Sequence, residues 1–376
     1  MTLPITQSQI PSDIIDLGAG EPNPAMFPIE MIRRAAAERL SQSDLSFLQY
    51  GAEQGNGYFR LALADFLTRG YGQATDPENI FVTAGISSAM DLLCTLFTQS
   101  GDTIFVEEIT YFAAPEIFAD HHLNIIPIAM DENGLIIEAL EENLKIYKPK
   151  FLYTIPIHHN PTGLTLTEAR RIRLIELAQQ FDFLILADEV YQLLSYTTAP
   201  PKPFAAYTDI ENIISLGSFS KIIAPGLRLG WIQAHANIIK RIVAGGVFDS
   251  GGGMNPFTSA IIRGTIESGD LEKHIGRLKS RYQNQLSAMD EALRLHLPEV
   301  AYQVPNGGYF FWLRFPEYIN ASEFRQQAKS FKVGLRQGAL FSSTSSAQSC
   351  IRLCFARYDE AQIEEGILRL KKCLNS

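Results

Sequence analysis

Short apolar runs alternate with longer segments of helical periodicity between about residue 80 and residue 235. The apolar runs predict strands at 80–83, 103–106, 124–128, 150–155 and 183–187. The periodic segments predict helices at 87–97 and 167–181. The run at 183–187 contains no polar residue, which is typical of a strand that is buried on both faces. The alternation of strands and helices predicts a mainly parallel sheet with covering helices.

The pattern changes after residue 270. A long amphipathic segment predicts a helix at 271–297, and the remaining chain predicts strands at 308–314 and 350–355 and helices at 322–332 and 359–373. A single hydrophobic core rarely grows beyond about 250–300 residues, so the 376 residues of this chain predict two domains. We assign residues 46–275 to a large domain, and residues 1–45 and 276–376 to a smaller α+β domain that includes a Pro-rich N-terminal arm.

Composition and charge exclude several classes of partner. The net charge of −9 argues against a general binder of nucleic acid or of anionic membranes, because such partners select basic surfaces. No apolar run reaches the length of a membrane span, and no Lys or Arg precedes Arg33, so no signal or transit peptide is expected. The four cysteines show no disulfide framework, and the seven histidines show no metal-ligand pattern. Together these features predict a cytoplasmic location.

The most informative polar segment follows the apolar residues 213–216. It contains Ser218, Ser220 and Lys221, then a Pro-Gly pair and Arg228. Hydroxyls and a guanidinium are suited to a phosphate group, and a lysine held near other cations loses proton affinity and becomes a nucleophile toward a carbonyl. The alternative is a surface lysine after a Ser-rich turn. The downstream Pro-Gly-Leu-Arg-Leu-Gly-Trp favours an aldimine-forming lysine beside a phosphate site.

Other candidate residues follow predicted strands, where an open α/β sheet places its ligands. Gly85, Ile86 and Ser87 come after the strand at 80–83, at a helix start that offers free amides to an anion; an ordinary capped helix start is the alternative. Asn160 begins a turn after the strand at 150–155. Asp188 directly follows the strand at 183–187 and needs a cationic or protonated partner there, unless it only caps or fixes a loop.

In order along the chain, these segments resemble the pyridoxal 5′-phosphate (PLP) enzymes of the aspartate-aminotransferase fold, the class I/II aminotransferases. The most specific segments are residues 159–163 (His-Asn-Pro-Thr-Gly), 187–191 (Ala-Asp-Glu-Val-Tyr) and 217–231. Their spacing also fits, with 28 residues from Asn160 to Asp188 and 33 from Asp188 to Lys221. The resemblance runs through nearly the whole chain and implies fold type I, with a mainly parallel seven-stranded sheet and a smaller α+β domain.

The resemblance also implies a role for each matching residue. Lys221 would form the internal Schiff base with PLP, and Asp188 would pair with the ring nitrogen. Asn160 and Tyr191 would hydrogen-bond the 3′-oxygen, and Tyr111 would stack on the ring; for Tyr111, a core aromatic is the alternative. The phosphate would be shared by a larger set of residues, namely Gly85, the amides of Ile86 and Ser87, Ser218, Ser220 and Arg228.

Three further positions concern the substrate and the assembly. Arg352 resembles the arginine that binds the substrate α-carboxylate together with Asn160; an internal ion pair is the alternative. Gly20 resembles the N-terminal segment that closes over the substrate, although a static strap is equally compatible with its sequence. Tyr50 resembles the tyrosine that reaches the phosphate of the partner subunit, which implies a homodimer with composite active sites.

These roles predict transfer of an amino group between an L-amino acid and a 2-oxo acid by a ping-pong mechanism. The N-terminal arm and His158-His159-Asn160 resemble the group that acts on 2-aminoadipate, aromatic, kynurenine or branched-chain substrates. Two alternatives stay open at this point. The same scaffold serves C–S β-lyases, and it also serves the ligand-sensing domain of regulators that carry an N-terminal DNA-binding domain.

Overall fold

The computed structural model describes residues 6, 7 and 9–376. The first residues of the predicted N-terminal arm, 1–5 and 8, lie outside the described residues. The strands are β1 (Ile15–Asp16), β2 (Ile80–Thr83), β3 (Thr103–Glu107), β4 (Asn124–Ile128), β5 (Met130–Asp131), β6 (Gly134–Leu135), β7 (Phe151–Thr154), β8 (Leu184–Asp188), β9 (Ile213–Ser218), β10 (Gly230–Ala234), β11 (Ala301–Tyr302), β12 (Phe310–Arg314), β13 (Val333–Gly334), β14 (Arg336–Gln337) and β15 (Cys350–Cys354).

The helices cover the sheets formed by these strands. They are α1 (Ile29–Ser41), α2 (Gly57–Tyr71), α3 (Ile86–Phe97), α4 (Ala113–Asp120), α5 (Ile137–Leu144), α6 (Glu168–Phe181), α7 (Ala236–Val243), α8 (Gly246–Gly251), α9 (Pro256–Glu267), α10 (Asp270–His296), α11 (Ala321–Ala328) and α12 (Glu360–Leu374). Of the helices in the described part of the chain, none is both long and apolar enough to cross a membrane.

The central sheet has seven strands in the order β2-β10-β9-β8-β7-β3-β4. All neighbours in it are parallel except β10, which runs antiparallel to both β9 and β2. The predicted mainly parallel sheet is therefore confirmed. Parallel order brings the carboxyl ends of β7, β8 and β9 to the same edge, and Asn160, Asp188 and Lys221 lie at or beyond those ends.

Both faces of the central sheet are covered by apolar side chains. In β8, Ile185 and Ala187 belong to the core cluster formed with α5 and α6. Leu186, which points to the opposite face because side chains alternate along a strand, belongs to the cluster formed with α3, α4 and α7. This explains the uninterrupted apolar run that predicted the strand.

The second sheet has four antiparallel strands in the order β11-β12-β15-β14 and packs with α10, α11 and α12. One predicted helix is shorter than expected: residues 322–332 were predicted helical, but α11 ends at Ala328 and a 3-10 turn follows over Lys329–Phe331. Lys332 then adopts φ 56°, which ends the segment. The boundaries that divide the two predicted domains, at residues 45 and 275, stay a prediction.

Candidate active site

Lys221 lies in the turn that follows β9, and its amine points into the protein. The Nζ atom donates to the Gly20 carbonyl at 3.0 Å. Burial is the main influence on the amine and lowers the pKa of Lys221 below its ordinary value of 10.5. A lowered pKa leaves more of the amine neutral, as a nucleophile toward a carbonyl carbon requires.

Asp188 is a buried carboxylate at the end of the central strand. It is the last residue of β8, so the predicted strand at 183–187 ended one residue too early. Its Oδ2 accepts from the Tyr153 hydroxyl at 3.0 Å and its Oδ1 accepts from the Val190 amide at 3.3 Å. Burial, partly offset by these hydrogen bonds, raises the pKa of Asp188 to about 6. A buried carboxylate of this kind is stabilised by a cationic or protonated partner.

Arg352 is a buried cation without a carboxylate partner among the described residues. It lies in the middle of β15 and is 3% exposed. Its Nη2 donates to the Gly18 carbonyl at 2.7 Å, and its Nη1 donates to Asn160 Oδ1 at 2.8 Å. Burial lowers the pKa of Arg352 to about 10. The internal ion pair that the sequence left open as an alternative is therefore not what holds this guanidinium.

The residues predicted to share a phosphate come together where α3 begins. Gly85 is the N-cap residue of α3 and has φ 92°, and a Cβ added there would lie 2.8 Å from Arg228 Nη2. The amides of Ile86 and Ser87 open the helix and have no partner within it. Arg228, itself at φ 45°, thus brings its guanidinium to the positive end of a helix, a combination suited to an anion.

The two predicted serines lie at the end of β9 and in the turn after it, with β10 between β9 and the strand β2 that leads into α3. Ser218 is the last residue of β9, and its hydroxyl donates to Ser220 Oγ at 2.9 Å. The Ser220 amide donates back to Ser218 Oγ at 3.1 Å. Gly230 of β10 pairs with both Ser218 and Thr83, so the serines and the end of β2 are held at the same edge of the sheet.

Tyr111 and Tyr191, the two aromatics predicted to contact the cofactor, lie near Asp188. Burial raises the pKa of the Tyr111 hydroxyl, and the nearby Asp188 carboxylate raises it further, so Tyr111 lies in the electrostatic range of Asp188. Tyr191 follows Asp188 by three residues and is 2% exposed. Its ring packs edge-on against the ring of Tyr309 at 5.3 Å.

Of the two remaining predicted residues, Gly20 lies beside Arg352, whereas Tyr50 lies on the surface. A Cβ added to Gly20 would lie 3.2 Å from both Arg352 Nη2 and the Phe310 ring, so Gly20 borders the site. The adjacent Glu21 forms an ion pair with Arg357 at 2.7 Å, which ties the arm to the segment between β15 and α12. Tyr50, by contrast, is 85% exposed and does not join the other predicted residues within this chain.

Sequence reasoning missed a buried hydrogen-bond network beside Asn160. The Glu107 carboxylate accepts from Thr154 Oγ1 at 2.8 Å and from the Ile155 amide at 2.9 Å, and it lies 3.1 Å from His159 Nε2. His159 Nδ1 in turn contacts Thr162 Oγ1 at 2.8 Å. These contacts fix the turn that presents Asn160. The motif at 159–163 was the available signal, but nothing in the sequence linked it to Glu107.

Comparison with known proteins identifies the family. The family model described as aminotransferase class I and II matches residues 12–370. Aromatic-amino-acid aminotransferase 1 of Thermococcus litoralis is 36% identical over 96% of this chain and 88% of its own length. The kynurenine aminotransferase of Pyrococcus horikoshii, solved in complex with PMP, superposes with a TM-score of 0.90 at 35% identity, covering 97% of this chain and 91% of that one.

A third similar protein was solved with a covalent derivative of the cofactor. This is the α-aminoadipate aminotransferase LysN of Thermus thermophilus, complexed with N-(5′-phosphopyridoxyl)-L-leucine; its TM-score is 0.88 at 28% identity, covering 97% of this chain and 92% of that one. With the family match, these relatives support PLP as the cofactor and transfer of an amino group between an L-amino acid and a 2-oxo acid as the activity. The chain belongs to the class I and II aminotransferases.

Proposed function

We propose that this aminotransferase holds PLP between Lys221 and Asp188 and binds the α-carboxylate of its substrates at Arg352. The proposal is carried by the burial and the hydrogen bonds of Arg352. Its guanidinium is 3% exposed, and its described partners are the oxygens of Gly18 and Asn160 rather than a carboxylate. A buried cation is costly unless it is paired. A substrate carboxylate supplies that pair with the bidentate geometry that suits guanidinium.

The residues present fit the cofactor chemically. Asp188 is a buried carboxylate with a raised pKa and no cationic partner at ion-pair distance among the described residues, which suits a protonated ring nitrogen. Lys221 supplies an amine of lowered pKa that attaches the cofactor covalently. Gly85, Ser218 and Arg228 border the anion site at the start of α3. Bound PLP supplies an electron sink for the substrate carbanion.

The protein's own groups then position the substrate and move its proton. Arg352, held by the Asn160 side chain, fixes the carboxylate, and the orientation of the Cα–H bond follows from that anchor. Lys221 Nζ takes the Cα proton as a general base, for which a lowered pKa is appropriate. Asn160 Oδ1 accepts from Arg352, so the Asn160 amide N–H groups, together with the buried Tyr191 hydroxyl, would hold the cofactor's 3′-oxygen.

Large apolar amino donors, including aromatic ones, are the proposed substrates. Aromatic rings surround Arg352: its guanidinium carbon lies 4.2 Å from the ring centre of Phe310 and 4.9 Å from that of Phe341. Phe112 and Trp312 both pack edge-on against Phe341, at 5.7 Å and 5.9 Å. A side chain attached next to an Arg352-bound carboxylate meets these rings, and ring–ring contacts add to simple burial.

The first experiment is the visible absorption spectrum of the PLP-loaded protein with single L-amino acids and no acceptor. Conversion of the cofactor band to that of pyridoxamine phosphate, with one equivalent of 2-oxo acid released, is the expected result. Phenylalanine and tyrosine are expected to convert the band at lower concentrations than aspartate. Accumulation of ammonia and pyruvate, with the band unchanged, would refute transamination in favour of β-elimination.

A homodimer with composite sites is the proposed assembly. Tyr50 is 85% exposed, and exposed apolar side chains lie near it in sequence or on segments packed against it: Leu45, Leu48, Tyr58 and Val247. The Gly51 and Gly253 backbones pair, which joins the Tyr50 segment to the loop after α8. An exposed apolar surface of this kind is typical of a subunit interface. We also propose a cytoplasmic location, which the four buried free cysteines support.

Subunit mixing tests the composite site. Lys221→Ala and Tyr50→Phe should each lower activity alone. In a mixed dimer, one site combines the native Lys221 of one subunit with the native Tyr50 of its partner, so mixing after mild dissociation should recover activity. Light scattering measures the mass of each sample. A monomeric mass, or a mixture no more active than its components, would overturn the dimer proposal.

A further inference from the structure

Four tyrosine side chains form a continuous cluster behind Lys221. The rings of Tyr191 and Tyr309 lie 5.3 Å apart, those of Tyr309 and Tyr282 lie 5.1 Å apart, and those of Tyr282 and Tyr196 lie 6.1 Å apart. Tyr191 and Tyr196 follow β8 of the central sheet, Tyr282 lies in α10, and Tyr309 precedes β12 of the second sheet. The cluster therefore joins elements of both sheets directly behind the lysine.

Tyr309 contacts Lys221 in two ways. Its hydroxyl donates to the Lys221 backbone carbonyl at 3.0 Å, and its ring centre lies 5.4 Å from Lys221 Nζ. Tyr309 is fully buried, so its hydroxyl and its ring are shielded from bulk water on the tyrosine side of both contacts. One side chain thus supports both the backbone and the amine of the same lysine.

A second hydroxyl, that of Tyr282, acts on Lys221 indirectly through Tyr309. The hydroxyls of Tyr282 and Tyr309 lie 3.2 Å apart. Tyr309 uses its hydrogen on the Lys221 carbonyl, so Tyr282 is the donor and Tyr309 the acceptor between them. A donor to the Tyr309 oxygen polarises its O–H group and strengthens the bond that it makes to Lys221.

Lys221 needs support of this kind because it lies in a turn. The segment after β9 has hydrogen bonds from the Ile222 and Ile223 amides to the Phe219 carbonyl, at 3.3 Å and 2.8 Å, but no regular helix or strand. Turn residues are held less firmly than those of strands or helices. A reacting amine, however, must be held within a fraction of an ångström of its productive position.

We propose that Tyr309 is a positioning residue for Lys221, which its hydroxyl fixes through the backbone carbonyl while its ring borders the amine. This inference rests on the proposed role of Lys221 in holding the cofactor. Tyr282 contributes indirectly, through the Tyr309 hydroxyl. Neither tyrosine takes part in the chemistry itself.

Tyr309→Phe tests the proposal, with Tyr196→Phe as the matched control. Both substitutions remove one hydroxyl from the same cluster, and both hydroxyls donate to a backbone carbonyl; that of Tyr196 donates to Gly308 at 2.7 Å. The first readout is the rate at which cofactor-free protein binds added PLP covalently, monitored through the visible absorption band of the bound cofactor. The second is kcat and KM with a saturating acceptor, and the third is the melting temperature.

Tyr309→Phe is expected to slow covalent PLP capture and kcat by about fivefold to tenfold, as loss of one buried hydrogen bond predicts, with KM changed by less than about twofold. Tyr196→Phe is expected to lower the melting temperature by about as much as Tyr309→Phe does. Its rate of covalent PLP capture and its kcat, however, should stay within about twofold of those of the native protein. Tyr282→Phe, which leaves Tyr309 in place, should show a smaller loss of the same kind and keeps the test valid if Tyr309→Phe folds poorly.

Two results would overturn the proposal. The first is a native rate of PLP capture in Tyr309→Phe. The second is an equal loss of capture rate and kcat in Tyr196→Phe, which would show a general packing effect. Lys221→Ala is measured in parallel by borohydride reduction and mass spectrometry. If Lys221→Ala still attaches PLP covalently, the assignment of Lys221 is wrong, and this failure is distinct from that of the Tyr309 proposal.

Discussion

Asp188→Asn is expected to stabilise the cofactor-free protein above pH 6, although it removes the proposed partner of the cofactor's ring nitrogen. The folded protein raises the pKa of Asp188 from 3.8 to about 6, mainly by burial. The folded state therefore holds this proton more tightly than the unfolded state does, and stability falls as the pH rises through that range. Asparagine is neutral at every pH and avoids this loss.

The size of the effect follows from the pKa difference. A rise from 3.8 to about 6, at about 1.4 kcal/mol per pKa unit, corresponds to ~3 kcal/mol at pH 8. About half of this loss is already present at pH 5, so the stability gap between variant and native protein should widen by ~1.5 kcal/mol from pH 5 to pH 8. Because the gap is compared within one pair of proteins, pH-independent effects of the substitution cancel.

Urea unfolding of the cofactor-free proteins at pH 5, 6, 7 and 8 measures this gap. Asp65→Asn is the control, since Asp65 lies on the exposed side of α2 and undergoes the same chemical change in solvent. Adding PLP should reverse the order of stability, because binding to the folded state stabilises the native protein more than the variant. A gap that stays constant or narrows with rising pH would refute the reasoning about Asp188.

Three further predictions concern single side chains. Lys221→Ala should reduce turnover to a negligible rate while PLP still binds noncovalently, as measured by kcat and equilibrium dialysis; near-normal turnover would contradict the assignment. Arg352→Gln should lower kcat/KM about 100-fold for every amino donor, through lost charge-assisted hydrogen bonds, with the cofactor band intact; a change confined to one donor would contradict a carboxylate role. Tyr153→Phe removes a hydrogen bond that lowers the pKa of Asp188, so PLP affinity should fall more at pH 6 than at pH 8; equal losses at both pH values would contradict this.

Residues whose chemistry conflicts with their surroundings were predictable from the sequence. Asp188 ends an apolar run and Arg352 interrupts one, and such conflicts mark places where a charged group must have a partner. The parallel order of the central strands also follows from the alternation of apolar runs and periodic segments. These signals are local, so one sequence is enough to detect them.

Residues whose roles depend on contacts between distant segments were not predictable. Tyr153 and Tyr309 occur in apolar segments and have the pattern of core aromatics, because a sequence does not show which group a buried hydroxyl meets. Tyr153 reaches Asp188 across 35 residues of chain, and Tyr309 reaches Lys221 across 88. The end of α11 was also missed, since its last turn tightens to 3-10 geometry without a Pro or Gly to mark it.

With Arg352 in its proposed role, the N-terminal arm would compete with the substrate for that guanidinium. The Gly18 carbonyl accepts from Arg352, so the arm occupies a donor that the substrate carboxylate would use; the Gly20 carbonyl likewise accepts from the Lys221 amine that the cofactor would use. An incoming carboxylate must displace a covalently tethered ligand, and its apparent affinity is reduced by the fraction of molecules in which the arm is engaged. Selectivity would then depend partly on the arm, because weakly binding anions would fail to displace it from the Arg352 guanidinium.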